Sequence, residues 1–113
     1  MATTSVNEQA ITDLAGVVWR LWRAADEAFV AAGPDGDLDL DFLSLAARSV
    51  AADGATLVPD PQLCDVPASA ESDPGPLIRE AEAVLAARPI EQWPTGTSAL
   101  VVDVCDLIRE HRL

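Results

Sequence analysis

The feature that most constrains the fold is a three-four spacing of apolar residues that continues over residues 11–32. This spacing places the apolar residues on one face of an α-helix, so a single long amphipathic helix accounts for the segment. Ser5 and Glu8 have the spacing of a capping box, and Gly33-Pro34 is a typical helix stop. The sequence therefore predicts a first helix over residues 6–32.

Three further segments have the composition or the spacing of helices. Residues 39–52 are apolar nearly all round, which is typical of a helix that is central or covered by a partner. Residues 37–42 alternate Asp with Leu or Phe as a strand would, so we expect an extended lead-in to this helix. Residues 76–87 and 98–110 form the third and fourth helices, although the Val-rich segment 99–105 also suits a strand.

The composition favours closely packed helices. The chain of 113 residues has twenty alanines, no Tyr and only two Phe, and Ala is the best helix former and a poor strand residue. Residues 55–76 contain five prolines, which exclude regular structure there. We therefore predict an all-α fold: one domain over residues 1–113, with four helices in a compact bundle and a long proline-rich connection between helices 2 and 3.

The charge excludes several functions. There is no lysine, and nineteen acidic residues against seven arginines leave a net charge of −12. Such a chain repels phosphate backbones and anionic membranes, so we expect neither direct nucleic-acid binding nor membrane docking. Arginine in place of lysine is also what a GC-rich genome produces, so the acidity is either selected or a by-product of genome composition. Residues 1–5 lack the features of a signal peptide, and we expect a cytoplasmic location.

A row of alternating carboxylates separates the first two helices. It consists of Asp35, Asp37, Asp39 and Asp41. The segment resembles the calcium-binding loop of an EF-hand, but Gly33 and Ser44 stand where that loop has its first and last ligands. We expect weak Ca²⁺ binding at most, and the alternative is that Asp37 or Asp39 caps a helix. In an extended segment the same row would have charges about 6–7 Å apart, which resembles phosphate spacing in DNA.

The residues that catalysis usually needs are scarce. There is one histidine, His111, and the chain has neither lysine nor a Gly-rich phosphate loop. Two cysteines, Cys64 and Cys105, and one histidine do not make a zinc site. We therefore expect a protein that is not an enzyme and that carries no cofactor and no metal.

The tryptophans and the acidic row are the candidate partner contacts. Trp and Arg are enriched at the energetic centres of protein interfaces, and Trp19 lies at the edge of the first helix's apolar stripe. The predicted partner-binding residues are Trp19, Trp22, Arg23, Asp37, Asp39, Asp41 and Trp93. The alternative is that the tryptophan rings cover a core of small residues.

These observations favour a non-catalytic protein that binds another protein as an adaptor, accessory subunit or inhibitor. A homodimer formed through helix 1 is a further possibility. A DNA-mimicking inhibitor of a nucleic-acid-binding protein is the main alternative, and a degenerate module for Ca²⁺ or a small ligand is another.

Overall fold

A computed structural model describes residues 2–59 and 69–113, with only the backbone described for residues 2–7. Within these residues the fold has four α-helices and one short 3-10 helix (Ile90–Gln92). The α-helices are α1 (Ala2–Ala32), α2 (Leu38–Ala55), α3 (Pro74–Ala86) and α4 (Thr97–His111). The described residues contain no strand, so the predicted all-α fold is confirmed and segment 99–105 is helical.

The four helices form a ring in which every neighbouring pair is antiparallel. α1 packs against α2 and α3, and α4 packs against the same two helices. α2 is antiparallel to α1 because Ser44 contacts Ala25 while Gly54, further along α2, lies near Val18. It is antiparallel to α4 because Asp39 and His111 line one groove while Gly54 lies near Leu100. The ion pairs Arg20–Glu80 and Asp13–Arg88 set the direction of α3 against α1.

This order explains why the connection between α2 and α3 is long. Because α2 and α3 both run antiparallel to α1, they are parallel to each other across the ring, and the chain must return from the end of α2 to the opposite end of the bundle. Residues 56–59 and 69–73 are the parts of this connection that the structure describes. Of the predicted proline-rich segment 55–76, residues 60–68, including Cys64, lie outside the described residues.

The core consists mainly of small and branched aliphatic side chains. Its largest fully buried members are Leu14, Leu21, Leu77, Ile78, Val17, Val18 and Val104. Several alanines of α1 are also fully buried, which lets the neighbouring helices approach closely. At the closest approach, a Cβ added to Gly54 would lie 3.1 Å from Val18 Cγ2 and 3.3 Å from Leu100 Cδ1.

Several predicted boundaries are wrong. α1 begins at Ala2 rather than near residue 6, so Ser5 lies within the helix and cannot be its N-cap. The extended lead-in to α2 is limited to Asp37, which caps the helix as the alternative predicted: its Oδ1 accepts a hydrogen bond of 3.2 Å from the backbone N–H of Leu40. At its other end α2 continues through Asp53 and Gly54, and a Cβ at position 54 would be tightly packed against Val18 and Leu100.

The remaining boundaries lie close to those predicted. α3 begins two residues earlier than expected, and α4 is one residue longer at each end. Within the described part of the chain, no helix combines the length and the apolar character needed to cross a membrane.

Candidate functional site

An exposed apolar surface lies on the hairpin formed by α1 and α2. Five large apolar side chains are exposed there, and one of them, Val30 (72%), points about 100° away from Phe29 on α1. The other four are between 59% and 66% exposed: Phe29, Leu38, Phe42 and Leu45. We refer to these four residues as the hairpin patch. Both phenylalanines of the chain belong to it. Scattered exposed apolar residues are ordinary on protein surfaces, but a group of large ones typically marks an interaction site.

Three of the four side chains form a stripe along the outer face of α2. Leu38, Phe42 and Leu45 follow one another at intervals of four and three residues, so they lie on one side of the helix. The opposite side of α2, including Leu43 and Ala47, is buried in the core. One and two turns beyond Leu45 on the outer face, Ser49 and Ala52 are also exposed. The outer face of α2 is therefore poor in charge from Leu38 to Ala52.

A buried polar contact determines which face of α2 points outward. The hydroxyl of Ser44 is buried and donates a hydrogen bond of 2.8 Å to the backbone carbonyl of Ala25 in α1. One turn later, Arg48 pairs with Asp26 across the same helix contact at 3.0 Å. Rotating α2 to bury Phe42 would break the Ser44 bond, a net loss of about 0.5–1.5 kcal/mol, and would turn the buried Leu43 and Ala47 toward the surface.

Phe29 extends the patch onto α1. It follows Asp26 by three residues, so it lies near the side of α1 that pairs with α2. Trp22 precedes Phe29 by two helical turns, which places both rings on one side of α1. Trp22 is half-buried and packs against the core. Of the predicted aromatic contacts, Trp22 is thus the one that borders the hairpin patch.

Acidic residues flank the stripe on both sides. Asp39 and Asp41 lie in the first turn of α2, and two residues of a helix are about 200° apart, so the carboxylates diverge. Asp39 lines a groove of about 500 Å³ between the start of α2 and the end of α4, together with Glu110 and His111. Asp35 is exposed in the loop before α2.

The four aspartates do not converge on a common point. Asp37 caps α2, while Asp39 and Asp41 lie on different sides of it. Among residues 2–59 and 69–113, no group of three or more His, Cys, Asp or Glu side chains is arranged to hold a metal ion. The extended row with phosphate-like spacing is also absent, because the helix begins at Leu38.

Trp93 lies inside the molecule rather than on its surface. It is 6% exposed, and its Nε1 donates a hydrogen bond of 3.2 Å to the backbone carbonyl of Leu85. The guanidinium of Arg88 lies 5.2 Å from the centre of the ring and pairs with Asp13 of α1 at 2.6 Å. This position agrees with the alternative reading of the tryptophans, in which the rings cover the core, and it does not support partner binding by Trp93.

The other predicted contacts on α1 lie apart from the patch. Trp19 is half-buried against the core, and the exposed Arg23 pairs with Glu27 on its own helix at 2.8 Å. Both residues lie on α1, so they are not part of the stripe on α2, and Trp19 lies one turn further from the hairpin end than Arg23.

A polar cluster joins α1, α3 and the segment that precedes α3. Glu80 accepts a hydrogen bond of 2.6 Å from Ser69 and one of 3.0 Å from Arg20 Nε. The Ser69 hydrogen bond, and then that of Arg20, lower the pKa of the Glu80 carboxyl below its ordinary value. Arg20 also donates a hydrogen bond to the backbone carbonyl of Gly16 on its own helix, so its guanidinium links α1 to Glu80 of α3. The cluster is structural in character.

Sequence reasoning did not identify Leu38, Phe42 and Leu45 as contact residues. The available signal was that α2 is apolar nearly all round, which predicts either a central position or a covering partner. The structure places α2 at the periphery of the ring, with its outer face uncovered by the described residues. No protein-family model, curated protein or solved structure matches this chain significantly.

Proposed function

We propose that this protein is a non-catalytic, cytoplasmic binding protein, acting as an adaptor, accessory subunit or inhibitor, and that the hairpin patch is the centre of its interface. The observation that supports this proposal is the exposure of four large apolar side chains on one hairpin, including both phenylalanines of the chain. An interface centre is typically apolar and aromatic and is surrounded by polar residues.

The free energy gained by burying the hairpin patch indicates how large the interface must be. Burying a fully exposed Leu or Phe contributes about 1.5–3 kcal/mol, so four side chains that are roughly two-thirds exposed contribute about 4–8 kcal/mol. Association costs about 4–15 kcal/mol in lost translational and rotational freedom. The patch therefore needs further contacts around it, and Trp22 and the flanking carboxylates are in position to supply them.

The negative charge contributes to the choice of partner and to the rate of association. At a net charge of −12, the protein attracts partners with basic surfaces and repels acidic ones. The DNA-mimic alternative requires a row of carboxylates with the spacing of phosphates. Since Asp39 and Asp41 diverge around α2, this segment does not form such a row.

The test is affinity capture from the native cell lysate with three tagged proteins, followed by mass spectrometry. The first is the wild type, the second is the double variant Phe42→Ser/Leu45→Ser, and the third is Val102→Ser. Val102 is a matched control because it is a large apolar residue that is similarly exposed, but on α4. We expect one stoichiometric partner with the wild type and with Val102→Ser, and its loss with the double variant.

Retention of the same partners by the double variant would contradict the proposal. Thermal unfolding of all three proteins provides the folding control. Because the substituted side chains are mostly exposed, Val102→Ser should lose less than about 1 kcal/mol and the double variant no more than about 2 kcal/mol, so all three proteins should stay folded. A lost partner then reports on the surface rather than on a damaged fold.

A further inference from the structure

We infer that the hairpin patch binds a cationic amphipathic α-helix of the partner protein, which lies along the outer face of α2. This inference rests on the proposed function and adds the chemical class of the partner segment. It follows from the shape of the apolar stripe, from the charges beside it, and from the position of α2 in the bundle.

The shape of the stripe matches one face of a helix. Leu38, Phe42 and Leu45 fall within eight residues, with about 10 Å of helix between the first and the last, and the exposed Ser49 and Ala52 extend the face to about 21 Å. A partner helix lying along this face would contact it through residues repeated at intervals of three and four. The described residues have no strand, so they offer no sheet edge to which an extended peptide could add.

A docked helix would also complete the surroundings of α2. Two sides of α2 already pack against α1 and α4, while its outer face has no neighbour among the described residues. A helix that is apolar nearly all round is normally buried on all sides. A helix seated on Leu38, Phe42 and Leu45 would supply the third side.

The flanking charges indicate that the partner helix is basic. Asp39 and Asp41 lie on different sides of the stripe, and Asp35 is exposed in the adjoining loop. Lys or Arg at the edges of a partner's apolar face can extend along the surface and reach these carboxylates while their aliphatic stems stay in contact with it. An acidic helix would be repelled by these carboxylates, since Arg48 on the Asp41 side of α2 already pairs with Asp26.

The same charges disfavour a second copy of this chain as the occupant. A two-fold contact through α2 would bring the Asp39 and Asp41 edges of one copy against the equivalent edges of the other. Each copy also carries a net charge of −12. Like charges placed across an interface oppose association, whereas a basic helix gains from both the stripe and its edges.

The probes for the test are three designed peptides of about 18 residues, which is long enough for a helix to form on a surface. The first has Leu at intervals of three and four on one face and Lys on the other. The second has the same composition in scrambled order, so the charge is kept and the apolar face is lost. The third carries Glu in place of each Lys. Each peptide is titrated into the full-length protein by calorimetry.

We expect the amphipathic Lys peptide to bind at least roughly tenfold more tightly than the scrambled peptide. Phe42→Ser should weaken its binding roughly tenfold, and Val102→Ser should change it by less than about twofold. Raising the salt concentration should weaken the Lys peptide, because the charges at the edges are exposed and therefore screened.

Equal binding of the Lys peptide and the scrambled peptide would overturn the inference, and so would tight binding of the Glu peptide. An unchanged affinity in Phe42→Ser would also overturn it. Sedimentation equilibrium tests the competing occupant. A wild-type dimer that becomes monomeric in Phe42→Ser would assign the patch to a second copy.

The peptide and lysate experiments fail in different ways. If Phe42→Ser/Leu45→Ser loses a captured partner but no Lys peptide binds, the patch is an interface and the helical class of partner is wrong. If the double variant keeps its partner, the proposed function fails, and the inference that rests on it fails as well.

Discussion

The two ends of this molecule differ in how far a large aromatic ring is exposed: the ring of Trp93 is buried, and that of Phe42 lies on the surface. Trp93 is 6% exposed and hydrogen-bonded through its ring nitrogen, with Arg88 stacked over it. Phe42 is 59% exposed on the outer face of α2. The core is built largely of alanine and leucine, and Trp93 can be buried in it because its N–H finds an acceptor. Phe has no polar group that favours exposure to water.

The difference teaches that residue type alone does not identify an interface. Trp is enriched at binding hot spots, yet in this chain Trp93 is structural and the less typical Phe is exposed. The contacts of α2 with its neighbours determine which ring is on the surface. Substitutions of the buried ring and of the exposed ring test whether the two ends differ in this way.

The largest effect is expected from Trp93→Ala compared with Phe42→Ala. Removing the buried ring should lower the free energy of unfolding by about 3–5 kcal/mol, since it leaves a cavity and removes the stacking partner of Arg88. Removing the exposed ring should change it by less than about 0.5 kcal/mol. Urea unfolding monitored by circular dichroism measures both. Similar losses in the two variants would mean that Phe42 belongs to the core and that the patch is not an open surface.

A smaller effect is expected within α2 itself, between its closely packed end and its outer face. Gly54→Val would place a branched side chain where even a Cβ lies 3.1 Å from Val18 Cγ2, and this overpacking should cost about 1–3 kcal/mol. Ala52→Val, two residues earlier on the exposed face, is the matched control. It adds the same side chain at the cost of helix propensity alone, which is less than about 0.7 kcal/mol.

Equal stability of the two Val variants, measured by the same urea unfolding, would contradict the assignment of one packed face and one exposed face to α2. A larger loss in Ala52→Val than in Gly54→Val would reverse the assignment of its faces.

The sequence was sufficient to predict four helices because each has its own local signals. The end of α1 at Ala32 follows from Gly33-Pro34, which works without any tertiary contact. The continuation of α2 through Gly54 was not predictable in this way. Glycine normally weakens a helix, and the reason for it here is the approach of Val18 and Leu100 from other helices.

The hairpin patch was not predictable for a related reason. A helix with a clear apolar stripe identifies its own buried face, but α2 is apolar nearly all round and its periodicity selects no face. The buried hydroxyl of Ser44 makes the selection through its bond to Ala25, and that acceptor lies nineteen residues away in another helix. The alternating Asp residues suggested a strand because their spacing was read without the cap that Asp37 forms.

The smallest expected effect concerns a carboxylate at the contact between α1 and α3, where Glu80 is held by Ser69 and Arg20. These donors lower the pKa of Glu80 in the folded protein. The unfolded chain therefore binds more protons as the pH approaches the ordinary carboxyl pKa, and folding is favoured by the ionised form. The resulting stability is present above that ordinary pKa and is lost as the pH falls through the lowered pKa of the folded state.

The measurement is urea unfolding of the wild type and Glu80→Gln at neutral pH and at several acidic values. The wild type should be slightly more stable at neutral pH, because a partly exposed ion pair contributes little, and this advantage should shrink on acidification. Ser69→Ala should reduce the pH dependence as well, since the Ser69 hydrogen bond is the main cause of the lowered pKa. On acidification the other titrating groups change their charge nearly equally in the wild type and in Glu80→Gln. The difference in unfolding free energy between the two proteins therefore reports on Glu80. A difference that stays constant with pH would mean that this carboxylate contributes through packing rather than through its charge, and the α1–α3 contact would then resemble the apolar contacts of the core.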